Sequence, residues 1–110
     1  MAKYAVFFTL KGETVRAMMD RPSDRAAVVR ELVEERGGRL EAYYWMFGHH
    51  DGMVIVDVPD SETVAAISLA VSSTGAFGHV ETHELIPADR INPVLERAKQ
   101  ALGSYTPPGR

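Results

Sequence analysis

The sequence contains no cysteine, which removes disulfide bridges, thiolate catalysis and sulfur-built zinc ribbons from consideration. Any metal ligand must then come from His, Asp or Glu. Long apolar runs are also missing: the longest, such as Met53 to Val56, fall far short of the roughly 20 residues of a membrane-spanning helix. The N-terminus, Met1-Ala2-Lys3-Tyr4, has neither the apolar stretch nor the cleavage site of a secretory leader. A cytoplasmic protein is the expectation. No basic cluster occurs and the formal net charge is -3, so neither nucleic acid nor a membrane is an expected partner. Internal repeats and low-complexity runs are absent as well.

What is present is an ordinary globular composition, with 45% apolar and 25% charged residues in a chain of 110, the size of one domain. Tyr4 to Leu10 alternates Tyr4, Val6, Phe8, Leu10 with Ala5, Phe7, Thr9 and reads as a strand. Pro22-Ser23-Asp24 opens a helix with apolar Ala26, Val29, Leu32 and Val33, and Gly37-Gly38 stops it. Lys11 to Arg21 carries Val15, Met18 and Met19 at helical spacing and suits a short helix before it. Leu40 to Phe47 and Met53 to Val58 form a hairpin across Gly48-His49-His50-Asp51-Gly52. Pro59 ends the second of these strands, and Asp60 or Ser61 caps a helix with apolar Val64, Ile67 and Val71. His79 to Ile86 is a fourth strand, and a last helix carries Ile91, Val94, Leu95, Ala98 and Leu102 on one side.

Strand, helix, hairpin, helix, strand is the order of a split βαβ unit. The reading is α+β: a ferredoxin-like βαββαβ domain with a four-stranded antiparallel sheet in spatial order 4-1-3-2. Residues 1–103 are taken as this single domain with an appended C-terminal helix, and residues 104–110 as a loose tail. Gly37-Gly38, Tyr44-Trp45, Gly48-His49-His50-Asp51, Pro59-Asp60 and the segment from Gly78 to Leu85 resemble the GYD family of small bacterial proteins. The resemblance spans roughly residues 4 to 90 and implies the same fold. Asp51 matches the aspartate of the family's namesake triplet, whereas His50 stands where the family has tyrosine.

Strict alternation sends Val54, Val56 and Val58 towards the helices, together with Leu40, Ala42, Tyr44 and Met46. Phe7, Tyr43, Trp45, Phe47, Met53 and Ile55 then lie on the opposite face, beside Thr9. Right-handed crossovers put both crossover helices on the first face, so the second needs a cover. The C-terminal helix or a second copy of the chain can provide it. A sheet-to-sheet pair resembles the dimeric α/β barrel proteins, among them cofactor-free monooxygenases, isomerases, cyclases and haem-degrading enzymes. The aromatics are read either as interface core or as a cavity for an apolar or aromatic small-molecule ligand, lined by Phe7, Thr9, Tyr43, Trp45, Phe47 and Met53.

The four histidines are the natural proton carriers at neutral pH. His50 is the expected acid or base, with Asp51 orienting it and His79 helping, in a cofactor-free isomerisation, cyclisation or oxygenation. Asp51 as a plain turn residue is the competing reading. Strand spacing puts His79 about 10 Å from the start of the third strand, so that a substrate or partner must bridge the gap, and alternation points His49 away from His50. His79, Glu81 and His83 share one face of the fourth strand and would suit a divalent metal. Their spacing equally suits a charged edge strand, and no metal or other cofactor is expected. A non-catalytic binding or regulatory oligomer is the alternative function, and a His/Glu metal-binding protein the second.

Overall fold

A computed structural model describes residues 1–110. The elements run β1 (Ala2–Leu10), α1 (Gly12–Asp20), α2 (Arg25–Glu34), β2 (Arg39–Trp45), β3 (Gly52–Val58), α3 (Ser61–Ser73), β4 (Phe77–Leu85) and, after a short turn at Ala88–Arg90, α4 (Ile91–Leu102). The sheet is antiparallel in order β2-β3-β1-β4. This is the ferredoxin-like arrangement expected, with α1 in the place foreseen for a short helix.

The helix boundaries follow from local chemistry. Asp24 accepts a hydrogen bond from the Ala27 amide at 3.1 Å and starts α2. At its other end Gly37 adopts a φ of 81°, and the Gly37 and Gly38 amides bond back to Glu34 and Val33 at 3.0 Å each, the paired closure of a Schellman stop. Asp60 caps α3 by accepting from both the amide and the hydroxyl of Thr63, at 2.9 and 2.7 Å. Those bonds hold the Asp60 carboxyl below its ordinary range, the hydroxyl contributing most.

α2 packs on β2 and α3 on β4, leaving a gap between the two helices over the middle of the sheet. The core below is small: Tyr4, Phe8, Val33, Val54, Val56, Val58 and Val64. Around it lies a cavity of about 570 Å³, lined chiefly by apolar side chains of the sheet, α1, α2 and α3.

One irregularity in β2 decides which side chains share a face. Leu40 pairs with Val56, but Ala42 pairs with Ile55, so Glu41 is an extra residue opposite nothing, a β-bulge. Beyond it the alternation is inverted. Tyr43 and Trp45 pair with Val54 and Gly52 and lie on the helix side, each in edge-on contact with Phe8, while Ala42 and Tyr44 lie on the open side. This corrects the strict alternation read from the sequence, which placed Tyr43 and Trp45 on the open face. Glu41 itself is held at the surface by Lys3 at 2.8 Å and Arg39 at 3.0 Å, and those bonds keep its carboxyl below the ordinary glutamate range.

The C-terminal helix does not fold back over the sheet. α4 packs mainly on the turn before it, and Ile91, Val94, Leu95 and Leu102 are all exposed. The molecule is therefore elongated, at 57 × 35 × 23 Å with a radius of gyration of 17.7 Å, against about 13 Å for a compact chain of this length.

Candidate functional site

The loop between β2 and β3 does not simply extend the hairpin. The Asp51 amide donates to the Phe8 carbonyl at 2.8 Å, the Asp51 carboxylate accepts from the Leu10 amide at 2.7 Å, and the Thr9 hydroxyl donates to the His49 carbonyl at 3.1 Å. These bonds lay residues 49 to 51 along the end of β1. Because β1 is flanked by β4 on its other side, the loop carries His50 across towards β4 and closes the gap that strand spacing alone had left between them. The register completes the meeting: Phe7 pairs with Glu81, Thr9 with His79 and Ala5 with His83, all on the open face.

Glu81 is the hub. His79 Nε2 lies 3.0 Å from one of its carboxylate oxygens, and His50 Nε2 lies 3.6 Å from the same atom. His83 Nε2 lies 3.0 Å from the other oxygen. The hydrogen bonds to His83 and His79 hold the Glu81 carboxyl below its usual range, and the charge of His50 adds to them against partial desolvation. His49 stands against His50 with ring centroids 4.6 Å apart. The expectation that His49 points away fails because both histidines lie in the loop between β2 and β3, which has no strand alternation. Phe7 forms the floor, 5.2 Å from the His50 ring and 5.8 Å from that of His83. His50 is only 17% exposed, and its Nδ1 is buried without a hydrogen-bond partner.

Of the residues expected to carry chemistry, His50 and His79 are thus joined through Glu81, whereas the Asp51 carboxylate is turned to the β1 backbone and makes no bond to His50. The candidate ligand-binding residues separate. Phe7, Thr9 and Met53 share the open face with the histidines. Tyr43 and Trp45 line the cavity on the helix side, where burial raises the Tyr43 hydroxyl pKa. Phe47 lies beyond the end of β2, fully exposed in the loop. The role of Glu81 as the shared partner of three histidines was the feature least visible in the sequence.

Asp51 offers a direct test of structural against catalytic duty. Asp51→Ala leaves the part-buried Leu10 amide without its acceptor and is expected to lower stability by about 1–3 kcal/mol. Asp51→Asn retains an acceptor oxygen and is expected to cost well under half as much. Urea denaturation of both variants measures this, and equal losses would mean that the charge matters and the bond does not.

Comparison with known proteins adds the lineage. The model of a family described as GYD domain matches residues 4–95, reaching into α4. A Thermus thermophilus protein named "Glutamine synthetase and cystathionine beta-lyase binding protein" is 28% identical over 91 residues, covering 83% of this chain and 96% of that protein. Among solved structures, that of FFRP-DM1 superposes with a TM-score of 0.53 at 14% identity, covering 78% of this chain and all of that one, a likeness of fold alone.

Proposed function

The chain belongs to the GYD domain family, and on that premise we propose that it is a binding protein that pairs with a second copy through its open sheet face and acts by docking onto other proteins, enzymes among them, without catalysing a reaction itself. The observation that carries this reading is the uncovered sheet. Met53 and Ile55 lie half-buried in mid-sheet with Tyr44 exposed at the edge, and α4 does not cover them but stands away with its own apolar side exposed. Contiguous apolar surface of this kind on a small chain marks an interaction site. A self-complementary face closes as a two-fold dimer, and α4 then supplies apolar surface for a further contact.

The name of the Thermus thermophilus relative, a protein that binds two enzymes, supports docking onto an enzyme as the function. The engagement of Asp51 with the Leu10 amide weighs against the His50–Asp51 pair that acid–base catalysis required. The test is co-elution of the purified chain with purified glutamine synthetase and with cystathionine beta-lyase. A stoichiometric complex with either is the expected result. Failure with both sinks the enzyme-docking reading while leaving self-association to be judged by sedimentation.

The 570 Å³ cavity favours a second reading, a carrier or sensor of an apolar metabolite held between sheet and helices. Trp45, the only tryptophan, lines that cavity, so a bound apolar probe should change its fluorescence. An emission spectrum indifferent to such probes would remove this reading.

A further inference from the structure

All four histidines of the chain gather around one carboxylate, and we propose that His49, His50 and Glu81 form a binding site for a divalent transition-metal ion of the zinc type. The proposal does not rest on the protein-docking function: the site lies on the same open sheet face, but every donor comes from a single chain.

Geometry is the first support. One donor atom from each of His49, His50 and Glu81 lies within 4.8 Å of the other two. With metal–nitrogen and metal–oxygen bonds of about 2.0–2.2 Å, neighbouring ligands of a tetrahedral ion stand about 3.4 Å apart. Glu81 Oε1 and His50 Nε2, at 3.6 Å, are already at that spacing. His49 must close by roughly an ångström, which its exposed ring on a loop permits. His79 Nε2, 3.0 Å from the same Oε1, is an outer partner of that ligand and leaves the fourth position to a water. His83 grips the second carboxylate oxygen and fixes the orientation of Glu81, the part an outer-sphere partner plays at metal centres.

The donor chemistry narrows the ion. Two imidazoles and one carboxylate suit zinc, cobalt or nickel and are poor ligands for calcium or magnesium, which take oxygen donors. Phe7 closes the site from below.

A charged edge strand would account for His79, Glu81 and His83 without any ligand. It does not account for the hairpin loop, which brings two further histidines across β1 to the same carboxylate.

Metal-free protein titrated with zinc against a chromophoric chelator is expected to bind one ion per chain, and cobalt should give the visible bands of an imidazole-ligated ion. Glu81→Gln and His50→Ala should each weaken zinc binding by about ten- to a hundred-fold or more. Circular dichroism should show both variants folded, since neither side chain belongs to the core. Ile55→Lys, which is designed to separate the sheet faces, should bind one zinc with the native affinity. Absence of stoichiometric zinc, or undiminished binding by both site variants, overturns the proposal. So does binding confined to the self-associated form, because the site would then belong to an interface and not to one chain.

Discussion

Replacing Ile55 by lysine is expected to leave a folded monomer under conditions where the native chain sediments as a dimer. Ile55 pairs with Ala5 on one side and with Ala42 on the other, so its side chain rises between two small neighbours at the middle of the open face. In an isolated chain a lysine there extends into water and costs little. In a sheet-to-sheet dimer its charge is taken out of water, at several kcal/mol, and two-fold symmetry imposes the penalty twice. A dimer with micromolar dissociation holds together by about 8 kcal/mol. Two such penalties remove it. Sedimentation equilibrium at micromolar concentration, with circular dichroism to confirm the fold, decides the matter. A native chain that is monomeric removes the dimer. An Ile55→Lys variant that dimerises as tightly as the native chain moves the interface elsewhere, with the exposed side of α4 the next place to look.

The parts of this fold that were legible in the sequence are those fixed by local chemistry. Asp24 and Asp60 announce helix starts because a short acceptor side chain before an apolar run has one favourable use. Gly37-Gly38 announces a stop because the closing residue needs a positive φ. Strand order followed from the sequence of elements and the handedness of crossovers. The face of each β2 residue was not legible. Tyr43, Tyr44 and Trp45 are consecutive aromatics, so hydrophobicity carries no parity there, and the bulge at Glu41 that inverts the parity has no residue-type signature. The histidine cluster was hidden for a different reason. Spacing along β4 brings together only His79, Glu81 and His83, while the arrival of His49 and His50 depends on hydrogen bonds from Thr9, Leu10 and Asp51 that bend the hairpin loop over β1. Those are tertiary facts. Strand alternation called for a cover over the open sheet face by α4 or a second copy, and α4 stands away from it, because an apolar pattern within one chain does not say what packs on it.

A methyl group added at Gly52 is expected to destabilise the fold by crowding Phe8. Gly52 opens β3 opposite Phe8, and the missing side chain makes room for the Phe8 ring to lie across the strand. A Cβ at Gly52 would stand 2.3 Å from Phe8 Cζ, with both Cε atoms inside 3.0 Å. Phe8 can retreat only towards the cavity, at the expense of its edge-on contacts with Tyr43, Trp45 and Phe77, whose centroids lie 5.7 to 6.0 Å away. Overpacking of this kind costs about 1–3 kcal/mol, equivalent to a fall in melting temperature on the order of 4–15 °C for a domain near this size. The same strain falls on the loop, since the Phe8 carbonyl receives the Asp51 amide, so Gly52→Ala should also loosen His49 and His50 from Glu81. Phe8→Leu relieves the clash at the expense of its own packing. The double variant should therefore be more stable than the sum of the two single losses implies, with a coupling within the range of about 0.5–3 kcal/mol found for residues in contact. Urea denaturation of the two single variants and the double variant measures that coupling. Strict additivity would mean that Phe8 moves aside without cost, and that the glycine at this position serves the backbone of the turn and not the ring above it.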